Sequence, residues 1–416
     1  MLQKFLRNTG WMLTGRVATM IISFFATLFI ARHLGPTNYG QLSFAISMNG
    51  LFAFIAPLGL DQILFRELVR TPEKKNELLG TTLLLKLAAG TLAATLSIIT
   101  AFTIKAEDIT RILIVILSGT FIFNAFLIIN YEFLSRSESK YQSIISIATS
   151  ATLNILKILA ILLSKGVIYL ALILLLEAVL NAILYVFIYQ TKIEENIQSW
   201  TWNKQLAKLL VRDSLPVVLL TAFANIYSRV DQVIIKYMLD VTQVGVYDAA
   251  VRVAELWSFL PSIIITALVP SIVSSTTEGG ITFKKRMRQG IALLTVIPSA
   301  IAALVGFFAP LIVHVLYGKG YEGSVSILQI YVWSGVFTSL GLFFYQYLIA
   351  MNLRFILIFS SFVPMVLNII LNILWIPLYG INGAAYATLV SYMFLPASLL
   401  FFKSTRNMIL GSYRAA

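Results

Sequence analysis

Apolar segments long enough to cross a lipid bilayer recur along the whole 416-residue chain. A helix of about 20 apolar residues spans the ~30 Å hydrocarbon core. Because lipid cannot bond the backbone, such segments fold as helices or closed barrels. We predict twelve membrane-spanning helices, at 11–31, 40–62, 78–104, 110–134, 141–163, 167–190, 212–236, 246–271, 289–312, 323–349, 355–376 and 382–402. Only 12% of the residues are charged, whereas soluble domains carry about a quarter, so the sequence predicts an all-α polytopic membrane protein.

The distribution of basic residues predicts the orientation of these spans in the membrane. An internal repeat predicts how the spans are grouped. If both termini are cytoplasmic, most of the 31 Lys and Arg residues fall in cytoplasmic segments, which is the bias of the positive-inside rule. The turn at 34–45 resembles the turn at 239–250, and each joins the first two spans of its half. We therefore predict two six-helix lobes, at 1–200 and 201–416, as parallel repeats around a central cavity. The amphipathic stretch at 191–211 is predicted to lie on the membrane surface.

The eighth span carries a stripe of charge inside its apolar sequence. Asp248, Arg252 and Glu255 fall within about a 60° arc of a helix. A charge at the bilayer centre costs roughly 2.5–3.5 kcal/mol, so the stripe must face protein or a wet cavity. Arg229 and Asp231 lie at similar depth on the preceding span, so the five residues are predicted to form one cluster. Either they are ion pairs that lock two helices together, or at least one arginine faces a ligand.

The chemistry of the charged side chains within the spans favours an anionic ligand. A guanidinium group binds phosphate bidentately and stays charged at any relevant pH. The candidates for contact with a ligand phosphate are Arg16, Lys86, Arg229 and Arg252. The candidates for ion pairing, or for coupling transport to H⁺ or Na⁺, are Asp61, Glu177, Asp231, Asp248 and Glu255. The chain has no cysteine and only two histidines, so no cofactor, metal site or catalytic residue is predicted.

Four segments resemble one family of membrane transporters. They are IARHLGPTNYGQLSFA (30–45), GLDQILFREL (59–68), DQVIIKYMLDVTQVGVYDAAVRVAELW (231–257) and PLYGINGAAYAT (377–388). With these segments the chain resembles, over essentially its whole length, the bacterial polysaccharide-unit flippases of the Wzx type. That family belongs to the MOP superfamily, together with the MATE multidrug-extrusion transporters and the lipid II flippases. The lipid II flippases usually carry two further spans.

The resemblance implies a fold, a substrate and a route. Two six-helix lobes would form a V-shaped molecule around a cationic cavity lined by spans 1, 2, 7 and 8. The substrate would be an oligosaccharide repeat unit of O-antigen, lipopolysaccharide or a similar surface polysaccharide, linked to undecaprenyl pyrophosphate. Alternating access would move it from the cytoplasmic to the outer leaflet of the bacterial inner membrane, without enzyme chemistry. Arg16 and Arg252 would contact the diphosphate. A polysaccharide polymerase and a chain-length regulator are candidate protein partners, and nucleic acid is not expected as one.

Other functions fit the same composition. One is a cation-coupled exporter of small amphiphiles on the same fold, although the basic residues in the spans argue for an anionic ligand. Another is a lipid II flippase. A third is a membrane polymerase, ligase or glycosyltransferase, but such enzymes generally need a larger outer loop than any predicted here. A passive channel is disfavoured by the repeated lobes.

Overall fold

A computed structural model describes residues 2–104, 106–193, 196–278, 280–403 and 405–406, and every regular element in these ranges is helical. The α-helices are α1 (Leu2–Gly50), α2 (Asp61–Arg70), α3 (Lys75–Thr103), α4 (Asp108–Ser118), α5 (Thr120–Phe123), α6 (Ile128–Ser135), α7 (Ser139–Leu162), α8 (Val167–Lys192), α9 (Lys204–Met238), α10 (Val241–Glu255), α11 (Phe259–Glu278), α12 (Gly280–Leu316), α13 (Ser324–Tyr331), α14 (Ser334–Ala350), α15 (Arg354–Tyr379) and α16 (Ile381–Ser398). Eleven helical runs in the described residues are long and apolar enough to cross a membrane. The predicted class, an all-α multi-pass membrane protein, is confirmed.

The first two predicted spans are divided differently in the structure. Helix α1 continues to Gly50. Its backbone leaves the helical conformation at Gly35, where φ is 70°, next to Pro36. Glycine tolerates this angle, and proline lacks the N–H that a helix would use. The chain then runs through turns, in which Gly59 also has a positive φ of 62°, before α2 begins. The span predicted over 40–62 is therefore interrupted rather than one continuous helix.

Three other predicted spans also contain breaks. The span at 110–134 consists of α4, α5 and α6, with a 3₁₀ turn before α6. The span at 246–271 consists of α10 and α11, separated by the 3₁₀ turn Leu256–Ser258. The span at 323–349 consists of α13 and α14. Irregular backbone at membrane depth is tolerated only where protein or water bonds it, and in transporters such breaks accompany binding sites.

Contacts between Cα atoms divide the chain into two compact units, Met1–Asn225 and Ile226–Ala416. The division falls inside α9, so this helix contributes its first part to one unit and its last part to the other. In the first unit, buried side chains of α2, α3, α6, α7 and α8 pack into one hydrophobic core, which includes Leu79, Ile128 and Phe133.

The segment that connects α8 to α9 is bonded to helices of the first unit. Trp200 Nε1 donates a 3.2 Å hydrogen bond to the hydroxyl of Tyr189 on α8. The backbone N–H of Asn203 donates to Thr81 Oγ1 on α3 at 3.0 Å. The stretch at 191–211 was predicted to lie on the membrane surface. Around Trp200 and Asn203 it is hydrogen-bonded to helices of the first unit.

In the second unit, α15 and α16 approach each other closely. Gly383 of α16 lies so near Trp375 of α15 that an added Cβ would overlap the tryptophan carbonyl oxygen. Glycine at this crossing lets the two helices run side by side. Their polar residues meet further along, where Asn368 Nδ2 donates to Thr388 Oγ1 at 3.3 Å.

Candidate functional site

The carboxylate of Asp231 is the centre of a polar network buried among four helices of the second unit. Asp231, near the end of α9, is only 4% exposed. It accepts hydrogen bonds from the Tyr247 hydroxyl on α10 at 2.7 Å, from Asn372 Nδ2 on α15 at 2.8 Å, and from Thr388 Oγ1 on α16. Within the described part of the chain, no Lys or Arg forms an ion pair with it. The network therefore holds a carboxylate that neutral donors, not a cation, stabilise.

Two asparagines one helical turn apart complete this network. Asn368 and Asn372 are both fully buried, and Asn372 Nδ2 also donates to the Asn368 carbonyl at 2.8 Å. Their side-chain oxygens have no hydrogen-bond partner among the described residues. The site thus contains a carboxylate, a hydroxyl and two amide oxygens, an all-oxygen set of the kind that hard cations prefer. Sequence reasoning missed both asparagines, although their spacing within the apolar run LNIILNIL was a visible signal.

A second charged pair lies on α10. Arg252 Nε donates to Asp248 Oδ2 at 3.3 Å, four residues earlier on the same helix. The Asp248 side chain is 2% exposed and that of Arg252 is 35% exposed. The pair is therefore asymmetric, because the carboxylate is enclosed while part of the Arg252 side chain is exposed.

Two tyrosines after α12 pack near this pair. The Tyr317 hydroxyl donates to the Ala249 carbonyl on α10 at 2.9 Å, and its ring lies 5.1 Å from that of Tyr321. Burial, followed by the negative charge of Asp248, raises the pKa of both Tyr317 and Tyr321. Both hydroxyls therefore stay protonated at neutral pH, and that of Tyr317 donates the bond to Ala249.

Glu255 is the last residue of α10 and differs from the buried Asp231 and Asp248. Its side chain is exposed. It follows Arg252 by three residues on the same helix, a spacing that places the two side chains on one face. Glu255 is therefore an exposed carboxylate on the same helix face as Arg252, near the middle of the apolar run Val241–Ile272.

Of the five residues predicted to cluster, Asp248 and Arg252 form an ion pair on α10. Asp231 is bonded to Tyr247 and to polar side chains of α15 and α16, which lie more than a hundred residues away in sequence. The clustering of all five residues stays a prediction.

In the first unit, most of the charged residues predicted as candidate site residues form ion pairs with other residues of the same unit. Lys86 on α3 is buried and forms an ion pair with Asp61, the first residue of α2. The Lys86 ammonium also lies 5.7 Å from the centre of the Tyr131 ring. Glu177, which had no evident partner in the sequence, accepts a hydrogen bond from Lys157 Nζ at 3.1 Å.

Arg16 lies on α1 with an exposed side chain. No ion pair in the described residues includes Arg16, and its predicted contact with a ligand phosphate stays a prediction.

Solved transporter structures share this architecture. An inward-facing multidrug resistance transporter of the MATE family, in the MOP superfamily, gives a TM-score of 0.77 at 15% sequence identity and covers 96% of each chain. The lipid II flippase MurJ, in an inward closed conformation, gives a TM-score of 0.73 at 16% identity and covers 96% of this chain and 90% of MurJ. The chain is therefore a polytopic membrane protein with the MOP-superfamily fold.

The chain belongs to the family of polysaccharide biosynthesis proteins, whose family model matches residues 5–276. Agl15 of Haloferax volcanii, named as a probable low-salt glycan biosynthesis flippase, is 23% identical over 383 residues, which are 89% of this chain and 77% of Agl15. AglR of the same organism, named as a probable flippase, is 30% identical over 179 residues, 40% of this chain and 35% of AglR. The resemblance found in the sequence is confirmed at the level of family and fold.

Proposed function

We propose that the chain is a flippase that moves a lipid-linked oligosaccharide from the cytoplasmic to the outer leaflet of a cell membrane. The lipid carrier that we propose is undecaprenyl pyrophosphate in the inner membrane of a bacterium, and the glycan is a repeat unit of a surface polysaccharide. Membership of the polysaccharide biosynthesis family and the flippase names of the two relatives support this function.

The observation that carries the proposal is the arrangement around Arg252. This arginine lies on a membrane-spanning run, is bonded to the enclosed Asp248, and has a partly exposed side chain. An arginine inside a span is costly unless it serves a polar ligand or pathway. A lipid-linked glycan brings a diphosphate across the membrane, and guanidinium groups bind phosphate in a fixed geometry. Transport of this kind breaks no covalent bond, so it needs no catalytic residue.

We further propose that Asp231 couples transport to H⁺ or Na⁺. A buried carboxylate without a cationic partner is costly unless it is protonated or binds a cation. Asp231 lies beside the unpartnered oxygens of Asn368 and Asn372. Uptake of one cation would neutralise the carboxylate, and its release would restore the charge, which is the requirement for coupling an ion gradient to a conformational change.

Deletion of the gene in its natural host tests the flippase function. We expect loss of the surface glycan and accumulation of lipid-linked oligosaccharide in the cytoplasmic leaflet. The leaflet is identified by digestion with a glycosidase, which should reach the lipid in inverted membrane vesicles but not in right-side-out vesicles. Expression of the wild-type chain should restore export. Normal surface glycan in the deletion strain, with no accumulation of lipid-linked oligosaccharide in the cytoplasmic leaflet, would contradict the proposal.

A further inference from the structure

Three exposed cations lie in a row along the first turns of α9. Lys204, Lys208 and Arg212 are spaced by four residues, so they fall within an arc of about 80° on one face of the helix. All three side chains are exposed, and no ion pair within the described part of the chain includes them. Asp213, the acid next in sequence, lies about 100° further round the helix. This basic row therefore presents its charge to the surroundings of the protein.

The same helix face becomes apolar beyond Arg212. Leu215 and Leu219 continue the row, and their side chains are 56% and 48% exposed. Both lie inside the membrane-spanning run Lys204–Met238. At 1.5 Å per residue, Leu219 lies about 22 Å along the helix from Lys204, which is about the thickness of one leaflet with its headgroups. The face therefore matches a phospholipid in length and in the order of charge and hydrocarbon.

Trp202 independently places the start of α9 at the membrane boundary. It precedes Lys204 by two residues, and its large side chain is 49% exposed. Exposed tryptophan is typical of the level of the lipid headgroups, where its ring meets both hydrocarbon and water. Lysine and arginine at this level extend their charged ends toward the headgroups. The basic row is therefore placed to contact lipid phosphate.

The start of α9 is held in a fixed position by the first unit. The backbone N–H of Thr201 donates to the Asn76 carbonyl at 3.2 Å. Gly80 lies so near Thr201 that an added Cβ would overlap the threonine carbonyl oxygen. Asn203 Oδ1 then caps the helix by accepting two of its first backbone N–H groups. Because the helix that carries the row is already ordered, binding of a lipid costs little conformational entropy in the backbone.

We propose that the basic row Lys204, Lys208 and Arg212 binds the headgroup of an acidic phospholipid, whose acyl chains lie along Leu215 and Leu219. The three positive charges favour an anionic headgroup, and the exposed leucines favour a lipid over a soluble anion. Basic residues at the end of a span also orient it during insertion, but that role requires neither a shared helix face nor its apolar continuation. The bound phospholipid belongs to the membrane and is distinct from the molecule that the proposed flippase transports.

Quenching of Trp202 fluorescence by brominated lipids tests the proposal, in vesicles that contain the purified full-length protein. The signal of Trp202 is the difference between each protein and the same protein with Trp202→Phe. At equal mole fraction in phosphatidylcholine vesicles, we expect brominated phosphatidylglycerol to occupy the position beside Trp202 with about tenfold higher affinity than brominated phosphatidylcholine. Lys204→Gln/Lys208→Gln should lose most of this preference, because one cation near an anionic membrane surface contributes about a fivefold gain. Lys204→Arg/Lys208→Arg should keep it.

Lys140→Gln/Lys192→Gln is the matched control. Both lysines are exposed, at the start of α7 and the end of α8, so the control removes the same charge from the same unit and should keep the preference. Equal affinities of the two lipids in the wild type, or an equal loss in the control, would overturn the proposal. Relief of quenching by farnesyl diphosphate would instead assign the row to the transported substrate, and relief by inorganic phosphate to a soluble anion, and either result also overturns it. The deletion test is separate, since glycan export can depend on this chain whether or not the row binds phospholipid.

Discussion

Asn372 on α15 donates a hydrogen bond of 2.8 Å to Asp231 on α9, across 141 positions of sequence. Both residues are almost fully buried. Because no lysine or arginine in the described residues forms an ion pair with Asp231, the donors of the network are what makes the buried carboxylate tolerable. The bond therefore fixes the end of α9 to the helix pair α15 and α16.

We expect Asn372→Leu to lower the stability of the protein by roughly 1–3 kcal/mol, the cost of leaving a buried acceptor without its donor. Thermal unfolding in detergent measures the change. Asn38 is exposed and bonds only within its own helix, so Asn38→Ala should have little effect. In an Asp231→Leu background the same Asn372→Leu substitution should cost less, because the two residues are coupled. An equal loss in both backgrounds would show that the bond to Asp231 is not the cause.

Asp231→Asn should abolish the dependence of transport on an ion gradient. The amide keeps the size of the side chain but cannot exchange a proton or neutralise a bound Na⁺. Vesicles containing the purified protein and a fluorescent prenyl diphosphate measure transport with and without a gradient of pH or of Na⁺. The wild type should respond to one of the two gradients, and Asp231→Asn to neither. Asp240→Asn, on the exposed cap of α10, should respond like the wild type. A full response from Asp231→Asn would assign the coupling elsewhere.

The ion pair between Lys86 and Asp61 predicts an asymmetric response to mutation. The Lys86 side chain is 4% exposed and that of Asp61 is 35% exposed. Asp61→Asn leaves an ammonium group buried without its counter-charge, which is strongly destabilising. Lys86→Met leaves a carboxylate that water can still reach and places an apolar side chain in the buried position. We expect Asp61→Asn to unfold at the lower temperature, and the double variant to recover most of the loss. The reverse order would mean that the pair is hydrated on the Lys86 side.

The sequence predicted the membrane class and the charges on α10 because both are local properties. Apolar length identifies spans, and the spacing of Asp248 and Arg252 by four residues places them on one helix face before any tertiary contact is known. The break after Glu255 was not predicted as an interruption of the span, although Pro261 lacks the N–H that would bond the carbonyl of Trp257. The turn at Gly59 was better signalled by the sequence PLGL.

The partners of Asp231 could not be read from the sequence for a different reason. Thr388 and Asn372 reach it only because α15 and α16 cross closely at Gly383. Helical periodicity says which face a residue occupies but not which distant helix lies opposite. The same limit applies to the connecting segment before α9, whose amphipathic pattern fits a membrane surface as well as the protein surface that it actually contacts.

Asn203 fixes the start of α9 through both its backbone and its side chain. Its Oδ1 accepts the backbone N–H groups of Gln205 and Leu206, which caps the helix. Its Nδ2 donates to Glu77 Oε2 on α3 at 3.1 Å. Asn203→Ala removes both functions and should cost roughly 0.5–2 kcal/mol from the cap alone. Thermal unfolding of the purified protein provides the measurement.

Asn203→Asp separates the two functions, because aspartate caps a helix as well as asparagine does but sets a negative charge against Glu77. We expect this variant to be less stable than the wild type, and Glu77→Gln to restore it in the double variant, since the new amide can donate to the aspartate. Glu77→Gln alone should change stability little, because an amide oxygen still accepts from Asn203. If the double variant is no more stable than Asn203→Asp, the contact with α3 does not hold the start of α9, and the cap alone explains the residue.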